Sequence, residues 1–216
     1  MVRVKKVNAT NEALLQVDGS PWTRLDAHQI DLTPSPIPIT AGVSLHLALS
    51  QGHGKVQRIL TRMAHNGETL SVHLSWQDSQ RDDRIWDLDR FVDAAAVLFP
   101  LVPEVNPLTM GDEDKPVNAW LWKADREEPF DVIARGFSSS QRRPASASGL
   151  AASSLYNNER WAVVFQRPLP SRGDEFIHFE PGGSASIAFA VWEGSNNERA
   201  GQKATSGVLF DLELDP

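Results

Sequence analysis

Short runs in which apolar and polar residues alternate, cut by turn-forming residues at close intervals, are the feature that most restricts what this chain can become. Side chains of a strand point alternately to opposite faces, so such a run builds one apolar and one polar face. In residues 69–76, Leu70, Val72, Leu74 and Trp76 share a face. Residues 161–165 read the same way, residues 186–192 are apolar on both faces, and in 208–214 Val208, Phe210, Leu212 and Leu214 alternate with more polar neighbours. Many short strands with frequent turns predict an all-β sandwich or barrel, mostly antiparallel. At 216 residues that class commonly forms one unit, so a single domain over residues 1–216 is expected.

The segment His65-Asn66-Gly67-Glu68 carries the Asn-Gly pair that favours a tight hairpin, so residues 56–64 and 69–76 should pair antiparallel. The stretch 33–39 holds Pro34, Pro36 and Pro38 and cannot be a central strand, because proline donates no ladder hydrogen bond; an extended edge or loop is expected. Residues 87–99 are the best helix candidate of the first half, with Asp87 and Asp89 to cap the start, good helix formers through Ala94, Ala95 and Ala96, and Pro100 to stop it. Residues 138–154, rich in Ser, Ala and Arg, read as an exposed loop with a helical turn.

The chain has 28 acidic and 21 basic residues, a formal net charge of -7, with the basic residues scattered. Phosphate neutralisation needs a concentrated positive surface, so no nucleic-acid partner is expected. Cysteine is absent. That removes disulfides, zinc–thiolate and iron–sulfur ligation, thiol catalysis and the Cys-x-x-Cys-His attachment of a c-type haem. No apolar run approaches the ~20 residues of a bilayer-spanning helix, so no membrane span is expected. Residues 1–8 are basic but continue into Ala-Thr-Asn-Glu-Ala, which is not the apolar stretch of a secretory signal. The seven Trp suit a sheet core, a flat-ring ligand or a stacking platform.

Of the six histidines, His28, His46, His53, His65, His73 and His178, no two stand at the i, i+4 spacing of a helical zinc pair, and each reads as a surface or hydrogen-bonded structural residue. His73 shares with Ser71 and Ser75 the face opposite Val72 and Leu74, where the polar side of the pleat is expected. The Gln51-Gly52-His53-Gly54 turn mainly indicates a tight backbone. Acidic residues cluster at Asp82-Asp83, Asp87-Leu88-Asp89 and Asp112-Glu113-Asp114, but closeness in sequence does not supply the facing carboxylates of a glycosidase. With no Gly-x-Ser-x-Gly elbow, phosphate loop or dinucleotide fingerprint, a catalytic role is not expected.

Two clusters differ from this background. Residues 108–124 and 188–203 each set an apolar aromatic strand beside a turn bearing one soft or basic side chain, Met110 in the first and Lys203 in the second. In residues 47–54, Phe91-Val92-Asp93, Phe99-Pro100, Thr109-Met110-Gly111, residues 116–120, residues 188–192 and Asn197-Glu198-Arg199 through Lys203, the chain resembles the haem-binding γ subunits of the type II molybdenum enzymes. These include ethylbenzene, steroid and dimethylsulfide dehydrogenases and the chlorate and selenate reductases. The resemblance covers most of the chain and is nearest to the hydrocarbon and steroid dehydrogenases.

It implies an antiparallel β-sandwich with a few short helices and long loops enclosing one non-covalent haem b. The Met of the Thr-Met-Gly motif falls on Met110, and the Lys after the Asn-x-Glu-Arg turn falls on Lys203, which the resemblance makes the axial ligands of the iron. Of the three methionines, Met1 is the initiator and Met63 lies in an expected strand outside any such motif. Away from the resemblance, a loop methionine is ordinarily a packing residue and a lysine after Gly-Gln a surface charge. A thioether favours ferrous iron and raises the reduction potential, while a lysine amine must be neutral to donate its lone pair.

Two protein ligands leave no open position, which points to electron transfer instead of catalysis. The implied partners are an iron–sulfur β subunit and a molybdopterin α subunit in a heterotrimer, together with an external electron carrier. The implied location is the periplasm, the chain being either a mature form or carried out folded with a catalytic subunit that bears a twin-arginine signal. The rival reading of the same architecture is a haem-free carbohydrate-binding module that stacks sugar rings on exposed tryptophans.

Overall fold

The computed structural model describes residues 1–36, 52–85 and 90–216. Among them lie fourteen strands. The first seven are β1 (Val2–Lys6), β2 (His28–Asp31), β3 (Thr33–Pro34), β4 (Arg58–His65), β5 (Thr69–Gln77), β6 (Ala94–Pro100) and β7 (Val117–Lys123). The others are β8 (Phe130–Ala134), β9 (Gln141–Pro144), β10 (Ala151–Tyr156), β11 (Arg160–Pro168), β12 (Ser184–Trp192), β13 (Ala204–Thr205) and β14 (Phe210–Leu214). Two short helices, α1 (Asn11–Leu15) and α2 (Ser20–Thr23), separate β1 from β2. No helix among the described residues is long and apolar enough to cross a membrane.

The strands follow one hydrogen-bonded path, β10-β11-β5-β4-β1-β14-β12-β6-β7-β8-β9, which folds over at β1. The start of β1 runs parallel to β14, with Val2 opposite Leu212 and Val4 opposite Leu214, and its end passes to β4, with Lys5 opposite Ala64. A strand that changes partner in mid-course turns one sheet into two facing layers. The first layer is β10-β11-β5-β4 and the second β12-β6-β7-β8-β9. Between them the ring of Trp122 on β7 meets those of Trp161 on β11 at 4.9 Å and Trp76 on β5 at 6.2 Å. The expected β-sandwich is present, and every pairing outside β1 is antiparallel among the described residues.

The hairpin forms as expected. Strands β4 and β5 pair from Leu60 opposite Ser75 to His65 opposite Leu70, and Asn66 Oδ1 accepts from the Glu68 and Thr69 N–H groups at 3.0 Å each. Leu70, Val72, Leu74 and Trp76 enter the core. The opposite face of β5 does not look onto water, and His73 is buried there. Helices α1 and α2 cover it, with Leu14 and Trp22 packed against Ala64 and Val164. The Trp22 ring lies 5.2 Å from that of His73, whose Nε2 hydrogen-bonds the Val17 carbonyl at 3.2 Å. Burial holds the imidazole neutral and pulls its pKa down to about 4. A polar face in the sequence says only that the face is not core; which distant segment covers it is a tertiary matter.

Two further expectations are corrected. Residues 94–100 are strand β6, not the end of a helix, and lie between β12 and β7 with Ala95 opposite both Val191 and Trp122. Residues 138–154 contain the expected helical turn, at Ala145–Ala147, but it lies between β9 and the start of β10 and not within one continuous loop. The proline stretch behaves as an edge, β3 pairing only with β13 among the described residues. Residues 37–51, with 37–39 of that stretch and 47–51 of the Gly-His-Gly motif, and residues 86–89, with the start of the expected helix, lie outside the described residues.

Candidate functional site

Among the described residues, loops and not helices line the outer face of the second layer. Along β6, Ala95, Val97 and Phe99 enter the core, and Ala94 and Ala96 face outward; along β7, Trp120 and Trp122 point in and Ala119, Leu121 and Lys123 point out. Cross-strand register sets Ala190 of β12 opposite Ala96, and Ala119 opposite Val132 of β8. Alanines on adjoining strands make a floor without bulk, and the loops above enclose a cavity of about 350 Å³. That volume lies within the range of ligand pockets, roughly 300–1,000 Å³.

Met110 reaches this cavity through an unusual turn. Pro107–Thr109 form one 3-10 turn, opened by Asn106, whose side chain accepts from the Leu108 N–H at 3.0 Å. Met110 closes it in the left-handed region at φ 58°, a conformation that costs a residue with a Cβ about 1–2 kcal/mol. Gly111 follows at φ +79°, where a Cβ would stand 2.1 Å from the Lys115 carbonyl oxygen, so only glycine fits third in Thr-Met-Gly. The Met110 carbonyl accepts from the Gly136 N–H at 3.0 Å, which ties the turn to the loop after β8. Its side chain packs against Val105, Val117 and Ala134.

Lys203 stands just before β13, and like Thr205 it lines the cavity. Its carbonyl accepts from the Ser35 N–H at 3.0 Å and the Ser35 hydroxyl at 3.1 Å. Its Nζ lies 5.0 Å from the centre of the Trp192 ring. Burial draws the amine down to about 8, because an ammonium ion loses hydration that this apolar wall does not replace. Met110 and Lys203, distant in sequence, therefore line one cavity. Two arginines also line it: Arg142, which the sequence did not single out, over the Phe130 ring at 5.1 Å, and Arg199 of the Asn-x-Glu-Arg turn, over the Phe91 ring at 4.5 Å. Nothing in the sequence around Arg142 distinguishes it from a surface charge.

Beside the Lys203 loop lie buried carboxylates. Asp93 accepts from the Gly194 N–H at 2.9 Å and from the Asp82 N–H and Trp161 Nε1–H at 2.8 Å each. Burial still lifts it to about 6, and lifts Asp78 to about 8, the Asp93 charge adding to the second shift. A carboxyl raised above its unfolded value of 3.8 keeps its proton in the folded state after the unfolded chain has released it. The stability it contributes is present at low pH and is lost as pH rises toward about 8. Denaturant unfolding at about pH 6 and about pH 8.5 should show a loss on the order of 2 kcal/mol. Asp78→Asn, which can still accept from the Gln80 N–H, should flatten that slope; an unchanged slope would remove Asp78 as its source.

Comparison with known proteins places this chain in a family. Residues 20–151 and 143–204, which together include Met110 and Lys203, match the family described as Ethylbenzene dehydrogenase. The chain is 31% identical over 194 residues to a Haloferax mediterranei protein bearing the provisional name of a respiratory nitrate reductase heme subunit, covering 88% of this chain and 65% of that one. It is 33% identical over 162 residues to the chlorate reductase subunit gamma of Ideonella dechloratans, covering 74% and 66%. It is 30% identical over 191 residues to the dimethylsulfide dehydrogenase subunit gamma of Rhodovulum sulfidophilum, covering 86% and 69%. The chain thus spans about two thirds of the length of these relatives.

Among solved structures, a family 9 carbohydrate-binding module from Caldicellulosiruptor kristjanssonii in complex with glucose is similar in fold, with a TM-score of 0.52 at 10% identity over 99% of this chain and 95% of that one. At that identity the likeness speaks for the sandwich alone. On the match that runs from residue 20 to residue 204, the chain belongs to the ethylbenzene dehydrogenase family.

Proposed function

We propose that this chain, as one domain over residues 1–216, holds a single non-covalent haem b in the alanine-floored cavity and serves as the electron-transfer γ subunit of a molybdenum enzyme complex. One observation carries the reading: a thioether and a desolvated amine from distant parts of the chain line the same cavity. Met110 Sδ and Lys203 Nζ would be the axial ligands. The relatives add support, one of them named as a heme subunit and two as gamma subunits.

The residues fit such a group. Ala94, Ala96 and Ala119 leave an apolar floor, a thioether is a soft donor, and burial favours the neutral amine that can donate a lone pair. The chain has no cysteine, so ligands and packing alone must hold the ring. Arg142 and Arg199 bring positive charge to the wall, suited to the carboxylates of haem. When bound, the haem supplies a one-electron couple whose potential a thioether ligand raises. With two protein ligands no position stays open for a substrate, so these residues bind and orient instead of reacting.

In this reading substrate chemistry belongs to a molybdopterin α subunit. An iron–sulfur β subunit exchanges electrons with this chain, an external carrier meets its other side, and the complex works in the periplasm. The carbohydrate alternative draws less support. Trp22, Trp76, Trp120, Trp122 and Trp161 are buried, and Trp192 is half-buried in the cavity wall, so the described tryptophans present no stacking platform.

Protein purified from haem-supplied cells should carry one haem b per chain, by the pyridine haemochrome, with a low-spin spectrum. Ala96→Leu should fold normally by circular dichroism and lose about tenfold or more in haem affinity, because filling a packed site costs about 1–3 kcal/mol. Colourless protein that binds glycans would overturn the reading.

A further inference from the structure

The geometry points to Glu198 as a positioning residue: its buried carboxylate, acting through residues 53–55 and Ser35, holds Lys203 at the cavity and sets how readily that amine leaves the iron. This rests on the haem-ligation reading above.

Glu198 is 1% exposed, and its acceptor atoms serve N–H groups only. Oε1 accepts from the Gly54 N–H at 2.7 Å, the Lys55 N–H at 2.9 Å and the Asn196 side-chain amide at 2.8 Å; Oε2 accepts from the Glu193 N–H at 3.1 Å. Taking a carboxylate out of water is costly unless charge-assisted hydrogen bonds replace its hydration. Four donors do so here, and two of them join the turn that precedes Lys203 to a segment 144 and 143 residues away.

That segment leads back to Lys203. Gly54 has φ +78°, and a Cβ there would stand 2.5 Å from Pro34 Cα, so the backbone lies flat on Pro34. Pro34 pairs with Ala204 across β3 and β13. His53 Nε2 hydrogen-bonds the Ser35 carbonyl at 2.8 Å, and Ser35 donates twice to the Lys203 carbonyl. The contacts therefore close a ring from Glu198 through residues 53–55 and 34–35 to Lys203. From the other side, Asp93 accepts from the Gly194 N–H, and Asn196 donates to the Gly52 carbonyl at 2.7 Å. Both ends of the loop that presents the amine are thus fastened, and the Glu198 carboxylate is bonded both to the loop start at Glu193 and to the distant segment at Gly54 and Lys55.

Glu198→Gln keeps the length of the side chain but turns an N–H₂ toward a donor it now serves. The test is the rate at which cyanide binds the haem-loaded ferric protein, since cyanide must wait for an axial ligand to leave. Glu198→Gln should bind cyanide about tenfold faster with haem content unchanged, the size expected for losing a charge-assisted hydrogen bond. Ser35→Ala, which keeps its N–H donor and is the milder change, should move the rate in the same direction. Leu14→Ala, in the helix-covered cluster on the far layer, should lower the melting temperature and leave the rate alone, which separates positioning from general stability. Wild-type rates in both Glu198→Gln and Ser35→Ala overturn this proposal and leave the ligation reading standing if Lys203→Ala abolishes the low-spin spectrum. A wild-type spectrum in Lys203→Ala overturns both.

Discussion

Lys203→Ala is expected to keep its fold and to convert the haem-loaded protein from a low-spin to a high-spin spectrum, with Met110→Ala doing the same from the other side. Lys203 stands at the edge of the sandwich and faces the cavity, so its removal opens no hole in the core. The role proposed for it depends on donating a lone pair, which burial of the amine favours. Holding an amine of pKa about 8 neutral at about pH 7 costs about 1.4 kcal/mol, against about 5 kcal/mol for a lysine at 10.5. Lys203→Arg is the sharper comparison. A guanidinium keeps the charge but cannot shed its proton, so this conservative change should lose the low-spin signal as fully as alanine does. Absorption and electron paramagnetic resonance spectra of the three proteins decide it; wild-type spectra in both lysine variants would remove this residue from the ligand set.

The largest loss of stability is expected at Asp131, away from the cavity. This carboxylate on β8 is fully buried, accepts from the Asn118 side-chain amide at 2.9 Å and is paired with Arg143. Nearby Arg167, 1% exposed, sits between the rings of Trp120 and Phe179 at 5.3 and 5.6 Å and donates to Asn118 and to the Ile177 carbonyl. Burial works against the Arg167 charge, and the Asp131 carboxylate supports it. Asp131→Ala breaks the buried pair with Arg143 and removes the charge that supports Arg167, which should cost about 3–5 kcal/mol in denaturant unfolding. Asp131→Leu combined with Arg143→Met removes both charges of the ion pair and should recover much of the loss, since a buried ion pair is often replaceable by packed apolar groups. Additive losses in the double variant would show that the two charges do not depend on each other.

Several residues were legible because their signals are local. The hairpin at Asn66-Gly67 rests on turn chemistry within four residues, and the inward set Leu70, Val72, Leu74 and Trp76 on a period of two. The turn bearing Met110 could be seen as a motif, but not that its left-handed φ and the Gly136 tie would bring it to a cavity. Ala94, Ala95 and Ala96 misled, since alanine is the best helix former and a poor strand former. Pairing on both edges, with β12 and β7, outweighs that preference, and the outward alanines are small where the floor must stay open. His73 reads as a residue of the polar face and is buried through contact with a segment far off in sequence; Glu198 and Arg167, for which the sequence carries no sign of burial, are buried in the same way.

By itself the sequence determined an antiparallel β architecture, the absence of any thiol to attach a ring, and a family resemblance that singled out Met110 and Lys203. Only the tertiary structure decided that β1 switches partner to fold one sheet into two layers, that helices close one outer face while loops leave a cavity over the other, and that Met110 and Lys203 line that cavity. The division has one cause. Alternation, turns and composition are properties of neighbours along the chain, whereas burial, desolvation of an amine and the meeting of two side chains depend on which distant segments pack together.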